Sequence, residues 1–398
     1  MILLTSLTIL LEILLSVQVG YLLFLTLAAV TAPRVKKPAG TSPVKPSTRF
    51  AVLVPAHNEE RLLPELLASL RAQDYPPALF DVCVVADNCS DGTAAAARAG
   101  GARVFERFNT VQIGKGYALN WLLQAVGSAN PPYSAYVIFD ADTIAAPGFL
   151  REMDACLKNG ENAVQGYYAV RDPGQSWGVA LRYAALAVLH YLRPLGRTRF
   201  GGSAGLKGNG MCFRASLYET HPWSGSVTED IEYHMGLLLE GQRVAFAPGA
   251  FLEAEMPGSL KSAQTQNVRW ESGRLQAART YIPLLLRRLA PRRPFLALDA
   301  VMEHLIPPTA VIFLGAALCL VLGGLIAGLG GAWGVFWAAA GIAAALFAYI
   351  ACGLILVRAP GKVWLSFLYA PFYAGWKLIL MIQILLGKRR QGWVRTQR

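Results

Sequence analysis

Charge is scarce in this sequence. Only 16% of its 398 residues are Asp, Glu, Lys or Arg, while 54% are hydrophobic, and mean hydropathy is +0.38. That balance excludes an ordinary soluble protein. Cysteine is sparse too. The six residues (83, 89, 156, 212, 319 and 352) form no Cys-x-x-Cys pair, which argues against a zinc ribbon or a disulfide framework and for a reducing compartment. No Gly-x-Gly-x-x-Gly follows the first candidate strand, so a dinucleotide-binding oxidoreductase is excluded. Neither an internal repeat nor a low-complexity tract is present. No basic residue precedes the first apolar run, which speaks against a cleavable signal peptide.

The apolar residues gather at the two ends. Ile2 to Val30 carries one charge, Glu12, and suffices for a transmembrane helix. Arg34, Lys36, Lys37, Lys45 and Arg49 follow it, so the charge rule predicts a cytoplasmic domain next. Leu305 to Leu329 and Trp333 to Val357 read as a membrane hairpin. Val363 to Leu386 carries Pro371, Lys377 and the aromatics Trp364, Tyr369, Tyr373 and Trp376, and is expected to lie at the interface rather than form a third C-terminal span. The expected organisation is therefore an N-terminal helix (1–32), a linker (33–48), a cytoplasmic domain (49–258), amphipathic interface helices (259–294), a hairpin (295–357), the interfacial segment (363–387) and a basic cytoplasmic tail (388–398). A net charge of +12 concentrated beside apolar segments suits anionic headgroups and nucleotide phosphates, and does not suit nucleic acid.

Between the ends, short apolar runs alternate with amphipathic stretches. Strands are expected at Phe50 to Pro55, Val82 to Ala86, Arg103 to Glu106, Tyr136 to Phe139, Ala163 to Val170 and Met211 to Arg214, with two more at Val244 to Ala247 and Phe251 to Glu255. Helices are expected at Glu59 to Gln73, Thr93 to Ala99, Lys115 to Val126, Trp177 to Leu195, Glu229 to Glu240 and Ser259 to Ala278. This spacing predicts an α/β fold with a mostly parallel, nucleotide-binding sheet. The Arg-rich end of the helix from Trp177 (His190, Arg193, Arg197) is expected at the membrane interface.

Chemistry concentrates where strands end. Tyr136-Val137-Ile138-Phe139 runs into Asp140-Ala141-Asp142, two carboxylates that repel unless a cation sits between them. Pro55, His57 and Glu59 end the first strand and Asp87 ends the second, at the edge where open sheets bind ligands. Lys115 opens a helix after Gly114, an arrangement suited to phosphate. Thr228-Glu229-Asp230 places two acids at a helix start, and Asp230 is the candidate general base for an acceptor hydroxyl. Gln266, Arg269 and Trp270 share a helical face, where the guanidinium suits a diphosphate and the indole a sugar ring.

An Asp after the second strand, Asp-x-Asp, Thr-Glu-Asp and Gln-x-x-Arg-Trp, in that order and beside membrane helices, resemble the membrane-integrated family 2 glycosyltransferases. Their relatives include cellulose, hyaluronan, chitin-oligosaccharide and poly-N-acetylglucosamine synthases. The resemblance covers about Phe50 to Arg279. It implies a GT-A-type domain, a nucleotide-sugar donor (UDP-linked hexose or N-acetylhexosamine) and Mg2+ or Mn2+ held by Asp142 with Asp140. Asp87 would contact uracil or ribose in a pocket with Pro55, His57 and Glu59, Lys115 would face phosphate or donor sugar, and Arg269 the diphosphate. Asp230 would be the base, with Gly210, Glu229, Gln266 and Trp270 on the acceptor side. Trp393, Arg395 and Thr396 in the tail resemble a gating segment. The product of such an inverting transfer is a poly- or oligosaccharide, with export or accessory partners as further candidates. The alternative is a single sugar placed on a membrane lipid, as ceramide glucosyltransferase does with a related motif set. A non-catalytic nucleotide-sugar sensor would have no use for the full set of acids.

Overall fold

The computed structural model describes residues 1–31, 45–127, 129–218 and 221–387. Most of the linker and the tail with Trp393, Arg395 and Thr396 lie outside them. The chain opens with α1 (Ile2–Val30) and then alternates through β1 (Phe50–Ala56), α2 (Leu63–Arg71), β2 (Phe80–Asp87), α3 (Thr93–Ala99), β3 (Arg103–Arg107), α4 (Lys115–Val126) and β4 (Ala135–Ile138). Next come β5 (Thr143–Ala145), α5 (Phe149–Lys158) and β6 (Ala163–Val170). A rod follows, made of α6 (Trp177–Ala187), a π-helical turn (Val188–Leu192) and α7 (Arg193–Arg199). β7 (Met211–Arg214), α8 (Ala215–Tyr218), α9 (Glu229–Leu239) and β8 (Ala245–Ala254) complete the domain. Beyond it lie α10 (Leu260–Leu284), α11 (Pro294–Leu305), α12 (Thr309–Gly328), α13 (Trp333–Leu356), α14 (Gly361–Leu365) and α15 (Ala370–Leu385).

The eight strands form one sheet in the order β3-β2-β1-β4-β7-β6-β8-β5. β3, β2, β1 and β4 run parallel, and β7 pairs antiparallel with both β4 and β6. β1 explains why a parallel core forms. Its near-continuous apolar run is buried on both faces. Phe50, Val52 and Val54 pack with Leu63, Leu66, Leu67 and Leu70 of α2 on one side. Ala51 and Leu53 pack with Leu119, Leu122 and Leu123 of α4 on the other. Because β1, β2 and β4 are parallel and in register, their carboxyl ends reach one edge together.

Several expectations change. Val244–Ala247 and Phe251–Glu255 are one strand, β8, whose pairing with β6 shifts register between Gly166 and Tyr167. The hairpin does not continue back through residues 295–305, because Pro307 and Pro308 separate α11 from α12 and a proline cannot continue a helical hydrogen-bond ladder. His190, Arg193 and Arg197 do not face headgroups. They are 6%, 3% and 1% exposed, since internal partners compensate their burial. Arg197 donates to both Asp299 oxygens, from Nε at 2.9 Å and from Nη2 at 2.8 Å. Arg193 Nε donates to the Tyr349 hydroxyl of α13 (2.8 Å), and both guanidinium groups lie 3.7 Å from Glu303. Tyr21 of α1 also donates to Asp299 (2.7 Å).

Among the described residues four helical stretches are long and apolar enough to cross a membrane: α1, α12, α13 and Gly361–Leu385. The last is the segment expected at the interface. A 3-10 turn at Ser366–Tyr369 interrupts it. Within α15, Lys377 is buried and donates to Asn267 (2.6 Å) of α10.

Candidate active site

The ends of β1 and β2 make one pole of the site. Asp87 is directly opposite Arg107 in the parallel β2–β3 register. The guanidinium donates to its carboxylate at 2.6 Å, with the two side chains 3% and 10% exposed. Burial raises the Asp87 pKa above the ordinary carboxylate range, although Arg107 pulls it back. His57 Nδ1 is 2.7 Å from the Asp87 carbonyl, and the Glu59 N–H donates to Thr93 Oγ1 (2.8 Å). These bonds tie the loop after β1 to the loop after β2.

β4 ends at Ile138, so Asp140-Ala141-Asp142 is a turn rather than strand. Asn209, fully buried, holds that turn. Its Oδ1 accepts from the Asp140 N–H (3.1 Å) and its Nδ2 donates to Thr143 Oγ1 (2.8 Å). Gln165 fixes Asn209 in turn by donating to its carbonyl (2.8 Å). The Lys115 ammonium at the start of α4 reaches Asp140 Oδ1 and the Gly208 carbonyl, each at 2.5 Å.

Asp230 enters from the first turn of α9. Gly208 has φ +74, and a methyl there would come within 3.3 Å of Asp230 Oδ2, so glycine serves both the left-handed backbone and the approach of the carboxylate. Gly273 allows α9 to sit against α10, since a side chain there would collide with Thr228. Burial pushes the pKa of both Glu229 and Asp230 upward. The Asp230 charge adds to the rise at Glu229, and the Lys115 ammonium opposes it at both. Burial alone would lower the Lys115 amine. The carboxylates of Asp140, Glu229 and Asp230 outweigh it and raise the amine above its usual value.

These poles face one cavity of about 610 Å³, within the size range of small-molecule sites. Pro55, His57, Glu59 and Asp87 line one end. Lys115, Asp140, Asp142, Glu229 and Asp230 line the middle, with Gln266, Arg269 and Trp270 from α10. Gln266 Oε1 and Arg269 Nε are buried without a hydrogen-bond partner among the described residues, as expected of groups that await a ligand. Gly210 is not brought to the cavity. It immediately precedes β7, and a side chain there would collide with Leu252, while Gly208 lines the wall instead.

Arg107 and Gln165 are site residues that the sequence reading passed over, and Asn209, in the stretch that resembles an acceptor-side loop, braces the Asp140 turn. Arg107 lies one residue beyond the expected strand, and only the β2–β3 register brings it to Asp87. Among the described residues no group of three or more His, Cys, Asp or Glu side chains could hold a metal alone. Asp140 and Asp142 nevertheless fit a hard divalent cation, because Mg2+ is commonly bound by one or two carboxylates with substrate phosphates completing the shell.

A family model described as glycosyltransferase like family 2 matches residues 46–273. The beta-monoglucosyldiacylglycerol synthase of Trichormus variabilis is 25% identical over 271 residues, covering 66% of this chain and 57% of that protein. The N-acetylglucosaminyltransferase of Rhizobium meliloti is 27% identical over 281 residues, covering 66% of this chain and 63% of that protein. The chain thus spans less than two thirds of the length of these relatives. A solved mannosyltransferase from Pyrobaculum calidifontis, in complex with GDP-Man and Mn2+, superposes with a TM-score of 0.53 at 20% identity, covering 87% of this chain and 97% of that one. The likeness is one of fold.

Proposed function

The chain belongs to the family 2 glycosyltransferases, and from that premise we propose that it moves a sugar from a UDP-linked donor to a hydroxyl of a membrane lipid, with inversion at the anomeric carbon. The fold is GT-A-like, and the protein is a glycosyltransferase. The observation that carries the finer reading is the convergence of Lys115, Asp140, Glu229 and Asp230 on one cavity whose wall also includes Pro308 just before α12, Thr309 of α12 and Tyr373 of α15. That wall belongs to apolar helices, which favours a lipid acceptor over the saccharide acceptor expected from the motifs. The glycolipid synthase among the relatives favours the same choice.

In this reading Asp87 and His57 hold the base and ribose. Asp230 takes the proton of the acceptor hydroxyl as its oxygen bonds to the anomeric carbon, and the bond to the donor phosphate breaks with the electron pair leaving on the diphosphate. Lys115 and Arg269 offset the charge that develops there, the main electrostatic contribution. Gln266 and Trp270 orient the sugars, and Glu229, beside Asp230 in the buried first turn of α9, shares with it the field of the Lys115 ammonium. Mg2+ or Mn2+ on Asp140 and Asp142 supplies further charge neutralisation at the diphosphate. The basic residues after α1 favour a catalytic domain on the cytoplasmic side.

The test uses full-length protein in nanodiscs with Mn2+, a panel of radiolabelled nucleotide sugars, and diacylglycerol or total lipid extract. One labelled organic-soluble product supports the lipid acceptor, and an aqueous ladder refutes it in favour of a polymer. Asp230→Asn should abolish transfer while UDP still binds; retained turnover would remove Asp230 from the role of base.

A further inference from the structure

The same cavity is also lined by groups that the bond-making and bond-breaking steps do not use: Arg182 of α6, Arg274 of α10, Ala310 of α12 and Lys377 of α15, beside Thr309 and Tyr373. Arg182 is 4% exposed. All three of its guanidinium nitrogens are buried, and none has a hydrogen-bond partner among the described residues.

The local charge does not balance. Glu271 is already shared. Its Oε1 accepts from Lys377 Nζ at 2.9 Å, and its Oε2 lies 3.6 Å from Arg274 Nε. Lys377 and Arg274 therefore divide one carboxylate, and Arg182 forms no ion pair among the described residues. A guanidinium cannot escape by losing its proton at any ordinary pH. Burying it without a counterion is costly unless a ligand supplies one. The first turn of α12 lines the same cavity, and the positive end of that 20-residue helix favours an anion as well.

We propose that Arg182 anchors an anionic group of the acceptor lipid, a phosphate set back from the hydroxyl that receives the sugar. Lys377 and the first turn of α12 complete the site. The assignment rests on the lipid-acceptor reading given above. It separates the two substrates by position: the nucleotide enters against β1 and β2, and the phosphate lipid enters between α6, α12 and α15. Lys377 then has two functions, since it neutralises Glu271 and presents further positive charge to the headgroup.

The test measures binding, not transfer. Full-length protein in a nonionic detergent is titrated with short-chain phosphatidylglycerol, with diacylglycerol of the same acyl length, and with inorganic phosphate; UDP is titrated in parallel. Wild type should bind phosphatidylglycerol about tenfold or more tightly than diacylglycerol, the scale of a charge-assisted bidentate contact. Arg182→Gln should erase that preference, Arg182→Lys should keep part of it, and neither should change UDP affinity, which also reports an intact fold. A preference that survives R182Q overturns the proposal. So does a matching loss of UDP affinity, which would assign Arg182 to the donor. Inorganic phosphate binding as tightly as the lipid would make the occupant a free anion, not a headgroup. Should R182Q be recovered unfolded, wild-type indifference between the two lipids refutes the proposal and a clear preference supports it. A protein that binds phosphatidylglycerol through Arg182 but transfers nothing to lipid would sink the proposed function and leave this site standing.

Discussion

Replacing Arg107 by Met keeps the aliphatic stem and removes the charge. The change strips Asp87 of its guanidinium partner at 2.6 Å, in a pair whose side chains are 3% and 10% exposed, and takes a donor from the Gln112 carbonyl (2.8 Å). Removing one member of a buried ion pair costs about 3–5 kcal/mol. That corresponds to a fall in Tm on the order of 10 °C. The loss should depend on pH. With Arg107 gone, burial holds the Asp87 pKa further above its unfolded value. Between those two values the folded state carries the extra proton, so stability falls as pH rises. The deficit of R107M is therefore expected to be largest at alkaline pH and to shrink as acid neutralises Asp87. Adding Asp87→Asn should restore most of the stability without restoring UDP binding. Thermal melts of the full chain in detergent at several pH values, paired with UDP titrations, measure both effects. A fall under about 3 °C at alkaline pH, or a deficit that grows toward acid pH, would refute the argument.

Lys115→Met should move the acid limb of the kcat/KM profile to higher pH, because its ammonium lowers the pKa of Glu229 and Asp230; an unmoved limb would separate Lys115 from the carboxylates that set the rate. Asn209→Ala removes the acceptor of the Asp140 N–H and the donor to Thr143 from a fully buried position, at a cost of about 1–3 kcal/mol. Its donor affinity, measured by UDP-sugar titration with Mn2+, should fall about tenfold or more while phosphatidylglycerol binding is unchanged.

The strand-and-helix alternation was legible because the central strands β1 and β4 are buried on both faces and read as short apolar runs. Acids that end strands were legible for the same reason, since the runs mark where the sheet edge falls. Their partners were not. Asp87 and Arg107 are 20 residues apart, and only cross-strand register makes them neighbours. Asn209 reads as a loop residue between glycines, and nothing local shows that it braces the turn after β4. The Arg-rich end of the α6–α7 rod was misread for a related reason. Arginines beside apolar sequence usually reach for headgroups, but Asp299 and Glu303, about a hundred residues later, draw Arg193 and Arg197 inward. The break between α11 and α12 was written in Pro307-Pro308, yet the apolar composition on both sides concealed it.

The hydrogen bond from Tyr21 to Asp299 makes the first apolar helix a buttress behind the reaction chamber rather than a leash. Asp299 is the carboxylate that holds Arg197, and Arg197 ends the rod whose side chains line the cavity. A borrowed anchor of equal length would keep the chain at the bilayer without supplying that phenol. Designs that cut after α1 to gain a soluble catalyst would remove masonry together with the mooring, and the Arg197–Asp299 pair behind the chamber would lose its phenol.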